Sequence, residues 1–161
     1  MKKLVIAISI FLIFGFNISY AQSDWDGPVI ELENNRIEAV VYRSPSCGCC
    51  SKWLAHLKSH GFKVQDNVLE DMQQIKDKYG VSRSLRSCHT AIINGYVVEG
   101  HVPANDIKTM LQNKPEIKGL AVPGMVIGTP GMEMDDKKTA FNVMSFDNEG
   151  QVKLYKAYDK Y

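Results

Sequence analysis

The sequence lacks an excess of charge of either sign, because 19 Lys and Arg residues face 18 Asp and Glu residues. A nearly neutral chain has no electrostatic attraction for nucleic acid or for an anionic membrane surface, and neither is expected as a partner. The chain also lacks repeats, a long linker and the low hydrophobic content of disordered proteins, since 45% of its 161 residues are hydrophobic. Four cysteines are too few for a disulfide-dense mini-domain. These absences leave an ordinary globular protein of one domain.

An apolar run long enough to span a membrane is also missing, since a spanning helix needs about 20 residues. The apolar run at the N-terminus covers only residues 4–16 and follows the basic pair Lys2-Lys3. Ser19-Tyr20-Ala21 then places small residues at the −3 and −1 positions of a cleavage site. The pattern predicts a cleaved signal peptide over residues 1–21, export to the periplasm and no stable membrane anchor.

The rest of the chain, residues 22–161, is predicted to form a single α/β domain. Alternating and helical hydrophobic patterns indicate the order β-α-β-α-β-β-α. The strands are expected at residues 37–42, 62–68, 90–93 and 96–99, and the helices at residues 51–60, 71–79 and 104–113. This order, with cysteines between the first strand and the first helix, resembles the thioredoxin fold.

A C-terminal extension is predicted from about residue 119, where the composition changes. Residues 119–134 are rich in Gly, Pro and Met, which excludes a regular helix and indicates a loop. Short strands at 141–146 and 152–155, joined by a turn at 147–150, predict a terminal hairpin.

The most informative motif is Cys47-Gly48-Cys49-Cys50, which places three sulfurs within four residues. At the start of a helix, the macrodipole and unpaired N–H groups favour thiolates. Soft thiolates select Cu(I), Zn or iron–sulfur clusters, and export disfavours the last of these. We interpret the spacing as C-x-C-C rather than the C-x-x-C of dithiol oxidoreductases, which favours a metal site.

Further soft donors follow in the chain. Cys88 and His89 are adjacent in the loop before the third strand, and the thioredoxin-like order predicts that this loop lies opposite the cysteine motif. His101, Met132 and Met134 are additional candidate ligands near glycine-rich turns, and the thioether of Met suits Cu(I).

A second pair of histidines, His56 and His60, has the i, i+4 spacing that can bind a metal. No third ligand accompanies them in the sequence, so we predict that they lie on a solvated helix face.

Two other functional classes remain open. The cysteines could serve a thiol–disulfide oxidoreductase or isomerase on the same fold. They could also form two structural disulfides, for example Cys47–Cys88 and one other, because an exported protein meets an oxidising environment. No residue set in the sequence offers the nucleophile and base of a hydrolase.

The chain resembles the CopG-like copper-resistance proteins, which are small exported proteins of Gram-negative bacteria. The resemblance covers about residues 37–134 and depends on the cysteine motif, followed by Trp53 and His56-Leu57, and on five further stretches. These are Gly61-Phe62, Ser87-Cys88-His89-Thr90-Ala91, Gly95 to Ala104, Gly119 to Met125 and Gly131-Met132-Glu133.

That resemblance implies a thioredoxin-like fold, a periplasmic location and copper bound by the cysteine cluster, together with redox activity. By matching positions, the metal-site residues are Cys47, Cys49, Cys50, Cys88 and His89. We expect Cu(I) as the bound ion, and sulfurs this close together can bridge more than one ion. The expected partners are copper ions and other periplasmic copper-handling proteins.

Overall fold

The computed structural model describes most of the chain after its N-terminal segment. The described residues are Trp25, 27–32, 37–135 and 137–159. The signal peptide predicted over residues 1–21 lies outside them. Within this part of the chain, no helix is both long enough and apolar enough to cross a bilayer.

The described residues form a mixed α/β structure of seven strands and three α-helices. In chain order these are β1 (Ile37–Arg43), α1 (Gly48–Ser59), β2 (Phe62–Val68), α2 (Met72–Lys78), β3 (His89–Ile93), β4 (Tyr96–Glu99), α3 (Ala104–Asn113), β5 (Gly119–Ala121), β6 (Phe141–Phe146) and β7 (Val152–Tyr158). The strands form one sheet in the order β2-β1-β3-β4-β5-β6-β7. The pairs β1–β2 and β4–β5 are parallel, and the other neighbours are antiparallel.

Apolar side chains cover both faces of this sheet. Since neighbouring residues of a strand point to opposite faces, Val98 of β4 joins the larger core and Val97 joins a smaller one. The larger core includes Trp53 and Leu57 of α1 and Ile107 of α3. The site described below therefore begins on a helix that is anchored in the main core.

The predicted order of elements from residue 37 to residue 113 agrees with the structure, and β6 and β7 form the predicted terminal hairpin. The sequence interpretation fails at the start of the extension and at the end of its last strand. The stretch from residue 119, predicted to be a loop, begins with strand β5. Gly119 permits this strand, because an added Cβ would lie 1.8 Å from the carbonyl oxygen of Val97 in the neighbouring strand.

The last strand also extends beyond its predicted end at residue 155. Tyr158 stacks on Phe141 with ring centroids 4.6 Å apart. Its hydroxyl donates a hydrogen bond of 2.7 Å to the buried carboxylate of Asp106 on α3. These long-range contacts hold β7 in place to its end.

Candidate metal centre

The sheet topology brings the two cysteine-bearing loops together. β1 and β3 are antiparallel neighbours, and Arg43 at the end of β1 pairs with His89 at the start of β3. The loop that leaves β1 towards Cys47 and the loop that enters β3 from Cys88 therefore lie at the same end of the sheet. Convergence of the two motifs follows directly from this register.

The four sulfurs form one compact group. All of the Sγ atoms of Cys47, Cys49, Cys50 and Cys88 lie within 4.8 Å of one another. The Cys49 sulfur is 3.5 Å from that of Cys47 and 3.9 Å from that of Cys88. The expected approach of Cys88 to the cysteine motif is confirmed by these distances.

Two of these cysteines are joined, because Cys47 and Cys50 form a disulfide with their Cα atoms 5.4 Å apart. Cys49 and Cys88 are free thiols. Our interpretation of the motif as C-x-C-C without C-x-x-C was wrong, since Cys47 and Cys50 themselves have C-x-x-C spacing. The structural pairing of Cys47 with Cys88 is likewise not the one observed. Helix α1 begins at Gly48, and its first turn brings residues three apart to the same side.

His101 makes the closest nitrogen contact to the sulfur group, and it comes from the loop after β4. Its Nδ1 donates a hydrogen bond of 2.7 Å to the carbonyl oxygen of Pro130. The other ring nitrogen, Nε2, then carries the lone pair and lies 3.1 Å from the Cys88 sulfur. A carbonyl that fixes the tautomer in this way is the usual support of a metal-binding histidine. Burial lowers the pKa of His101 and keeps its ring neutral.

His89 lies deeper than the sulfurs. It is fully buried, its Nδ1 is 3.6 Å from the Cys88 sulfur, and its ring packs 4.2 Å from that of Trp53. Within the described part of the chain its Nε2 has no hydrogen-bond partner. Burial, and then His101 and Lys76, lower its pKa well below the usual value, so the ring is neutral.

Cys88, His89 and His101 thus form a second group of potential ligands within 4.8 Å of one another. Cys88 belongs to both groups and joins them. The sequence had indicated His89 through its adjacency to Cys88, whereas His101 had only the signal of a histidine at a glycine turn.

The Cys88 thiol is protonated at neutral pH. Burial, followed by the neighbouring Cys49, raises its pKa to about 11. A metal ion at this position would have to displace the proton, so binding would release protons to solvent.

The Gly/Pro/Met-rich loop closes over the first turn of α1. Gly131 has φ +84, and an added Cβ would lie 2.6 Å from the backbone nitrogen of Trp53 and 3.0 Å from the carbonyl oxygen of Cys49. Of the candidate methionines, Met132 is half-buried beside this contact, whereas Met134 is 51% exposed. The backbone of this loop therefore packs directly against the turn of α1 that carries Cys49.

The prediction that His56 and His60 lie on a solvated face was wrong. His60 is buried, with 4% of its surface exposed, and the two rings pack 4.3 Å apart. His56 Nε2 accepts a 3.0 Å hydrogen bond from the backbone N–H of Ala104, at the start of α3. Trp25 packs edge-on against His56 at 5.3 Å. A segment distant in sequence covers this face, and no helical spacing could indicate that.

Comparisons with known proteins found similarity to a family model and to solved structures. A family described as "Protein of unknown function, DUF411" matches residues 85–132. The solved structures "Copper resistance protein copG- Form 2" and "Copper resistance protein copG- Form 1" are each 44% identical to this chain, with a TM-score of 0.73. The similarity covers 76% and 77% of this chain, respectively, and 98% of each solved chain. None of the curated proteins compared matches.

Proposed function

This chain belongs to the CopG family of copper-resistance proteins, and from that premise we propose that it binds copper as Cu(I) in its cysteine and histidine cluster. The single observation that carries the proposal is the packing of four sulfurs within 4.8 Å of one another. Thiolates are soft ligands that suit Cu(I), and each can bridge two ions. A cluster of this size therefore has the donors for more than one cuprous ion.

The proposed ligands are those indicated by the sequence, with one change of emphasis. Cys88 is central, because it belongs to both groups of potential ligands. His101 gains support from its neutral Nε2, which lies 3.1 Å from the Cys88 sulfur. The full set of proposed ligands is Cys47, Cys49, Cys50, Cys88, His89 and His101. Met132 and Met134 are proposed as thioether donors from the Gly/Pro/Met-rich loop.

We also propose that the protein is a thioredoxin-like domain, residues 22–161, that acts in the periplasm after removal of a signal peptide over residues 1–21. The element order up to α3 and the position of the cysteines at the start of α1 support the fold assignment. In the periplasm, bound copper would protect thiolates from oxidation.

The disulfide gives this site two oxidation levels. With Cys47 and Cys50 joined, only Cys49 and Cys88 can offer thiolates. Reduction of the disulfide by two electrons and two protons adds two thiols to the two already free. Copper resistance could use this directly, since two thiols can reduce two Cu(II) ions to two Cu(I) ions as one disulfide forms and two protons leave.

An anaerobic titration of the fully reduced protein with Cu(I) tests the main proposal. A saturable ultraviolet band from thiolate-to-copper charge transfer is expected, and no saturable band would refute the proposal. Cys49→Ser should weaken Cu(I) binding by at least about tenfold, a loss of the size that even outer groups of a metal site cause. Ser51→Ala, an exposed position of the same helix turn, is the matched control and should leave the affinity unchanged.

A thiol–disulfide oxidoreductase is the second candidate, and the Cys47–Cys50 disulfide favours it. The spacing and the position at a helix start are those of dithiol oxidoreductases. This function predicts metal-free turnover of a disulfide substrate that is lost in Cys47→Ser. Copper binding without such turnover would favour the main proposal.

A further inference from the structure

A buried carboxylate lies behind the Cys88 loop. Glu99, the last residue of β4, is fully buried, and Lys76 of α2 is 2% exposed. Glu99 Oε1 accepts hydrogen bonds from Lys76 Nζ at 2.5 Å and from the backbone N–H of Ser87 at 2.7 Å. Its Oε2 accepts one from the Thr90 hydroxyl at 2.6 Å. Lys76 Nζ also donates to Thr90 Oγ1 at 3.2 Å, which closes the network.

The two residues that this carboxylate holds are the neighbours of the proposed ligands. Ser87 precedes Cys88, and Thr90 follows His89. The Glu99 side chain is therefore hydrogen-bonded to residues on both sides of the Cys88-His89 pair. The backbone N–H of Gly100 adds a 3.0 Å bond to the carbonyl oxygen of His89. The position of the Cys88 sulfur is thus tied to the end of β4.

The hydrogen-bond network around Glu99 also reaches the Gly/Pro/Met-rich loop. The Ser87 hydroxyl donates to the carbonyl oxygen of Gly124, and the Gly124 N–H donates to the carbonyl oxygen of Arg86 at 3.1 Å. A shift of Ser87 would therefore disturb the Cys88 loop and the Gly/Pro/Met-rich loop together.

Stability alone is a poor reason for such a pair. A buried ion pair is often no more stabilising than apolar residues of the same shape. Apolar residues at positions 76 and 99, however, would leave the Ser87 N–H without its acceptor, which costs about 1–3 kcal/mol or a displaced loop. The carboxylate is suited to holding a loop that no disulfide anchors.

We propose that Glu99, with its charge balanced by Lys76, is a positioning residue that sets the distance between the Cys88 and Cys49 sulfurs. The inference deepens the proposed function, since it treats the sulfur group as the working site. Its test needs no copper, however, because the reaction between the two free thiols reports their separation directly.

The reaction to follow is the oxidation of Cys49 and Cys88 by diamide, with a chelator present and the Cys47–Cys50 disulfide intact. Both thiols give up a hydrogen atom, one S–S bond forms, and the azo group of diamide becomes a hydrazine. Peptide mapping of alkylated samples gives the rate.

Two double variants separate the charge from the hydrogen bonds. Lys76→Met with Glu99→Gln removes both charges but leaves an amide oxygen for the Ser87 N–H, so a rate within about twofold of the parent is expected. Lys76→Met with Glu99→Leu removes the acceptor, and the rate should fall at least about tenfold, since a misplacement of about 1 Å can cost about a hundredfold. A Leu variant that is folded by urea unfolding and reacts at the parental rate would overturn the inference.

A purely structural effect is excluded by an internal control. In fully reduced protein, the closure of Cys47–Cys50 reports the start of α1, to which Glu99 makes no hydrogen bond among those described. Its rate should be the same in both double variants. Equal slowing of both disulfides would mean a general loosening and would refute a positioning role.

A milder pair of variants covers the case in which the Leu variant does not fold. Thr90→Val keeps the volume but loses the hydroxyl that donates to Glu99, whereas Thr90→Ser keeps the hydroxyl. The Val variant should oxidise more slowly than the Ser variant, and equal rates would overturn the inference. Absence of Cu(I) binding in the parent protein, together with the expected difference in oxidation rate between the Val and Ser variants, would refute the proposed function instead and leave the role of Glu99 intact.

Discussion

The Cys49 sulfur lies 3.9 Å from the Cys88 sulfur, although 39 positions separate the two residues in the chain. These are the two thiols that remain free beside the Cys47–Cys50 disulfide. Cys47 and Cys50 are thus joined covalently at the start of α1. Cys49 and Cys88 instead form a non-bonded contact between α1 and the loop before β3. The site combines a disulfide-bonded pair with a pair of free thiols, which are proposed as Cu(I) ligands.

Alkylation should distinguish the two pairs of cysteines. In protein denatured without reductant, Cys49 and Cys88 are expected to be labelled and Cys47 and Cys50 to be protected, because only the latter two are joined. After reduction all four should be labelled, and the Cu(I) capacity should rise with the two added thiolates. Mass spectrometry of the labelled peptides gives the assignment, and labelling of Cys47 before reduction would contradict the pairing.

His101 should contribute to copper affinity. Its Nε2 lies 3.1 Å from the Cys88 sulfur, and the Pro130 carbonyl fixes the ring so that this nitrogen carries the lone pair. His101→Phe keeps an aromatic ring but removes the donor, and Cu(I) affinity should fall at least about tenfold. Competition with a chromophoric Cu(I) chelator measures the change.

The control for this change is His56→Gln. That residue is also an imidazole packed against the main core, but it bonds to Ala104 and not to a cysteine. The Cu(I) affinity of the His56→Gln variant should match that of the parent protein. Unchanged affinity in His101→Phe would remove His101 from the proposed ligand set.

Local sequence signals were sufficient for most of the fold. Trp53, Leu54 and Leu57 have helical spacing, and all three are buried on α1. Asn94-Gly95 is a dipeptide typical of two-residue hairpin turns, and both residues have the positive φ values that such turns require. These features depend on neighbours in the chain, so periodicity and turn chemistry can indicate them.

Most of the errors concern contacts between distant segments, and one is local. The burial of His60 and the approach of Pro130 to His101 depend on segments that pack across the fold, and neither leaves a local pattern. The choice of Cys50 as the partner of Cys47 depends on the first turn of α1. The three cysteines of the motif permit several pairings. The start of α1 selects the Cys47–Cys50 pairing, because its first turn brings residues three apart to the same side.

The close contact of Gly131 with α1 predicts that a methyl group there is harmful. Gly131 has φ +84, where any other L-residue is strained by about 1–3 kcal/mol. Its added Cβ would also lie 2.6 Å from the backbone nitrogen of Trp53. Gly131→Ala should therefore lower both the free energy of unfolding in urea and the Cu(I) affinity.

Gly150→Ala is the matched control for that variant. Gly150 has nearly the same dihedral, φ +82, but an added Cβ has no neighbour within 4 Å. The Gly150→Ala variant should lose only the unfolding free energy that the strained φ costs, and it should keep the parental Cu(I) affinity. Equal losses of stability in both variants would mean that the contact with Trp53 adds nothing.

Acid should destabilise the metal-free protein through His56, since burial, followed by the nearby His60, lowers its pKa to about 3. The unfolded chain has a histidine pKa of about 6.5, so it binds a proton that the folded chain excludes. The stability contribution is therefore complete above about pH 6.5 and falls as the pH drops towards about 3, by up to about 1.4 kcal/mol per pH unit. His56→Gln, whose amide oxygen can still accept the Ala104 N–H, should give a flatter dependence of unfolding free energy on pH. Urea unfolding across this range measures both slopes, and identical slopes would show that His56 protonates equally in the folded and unfolded chains.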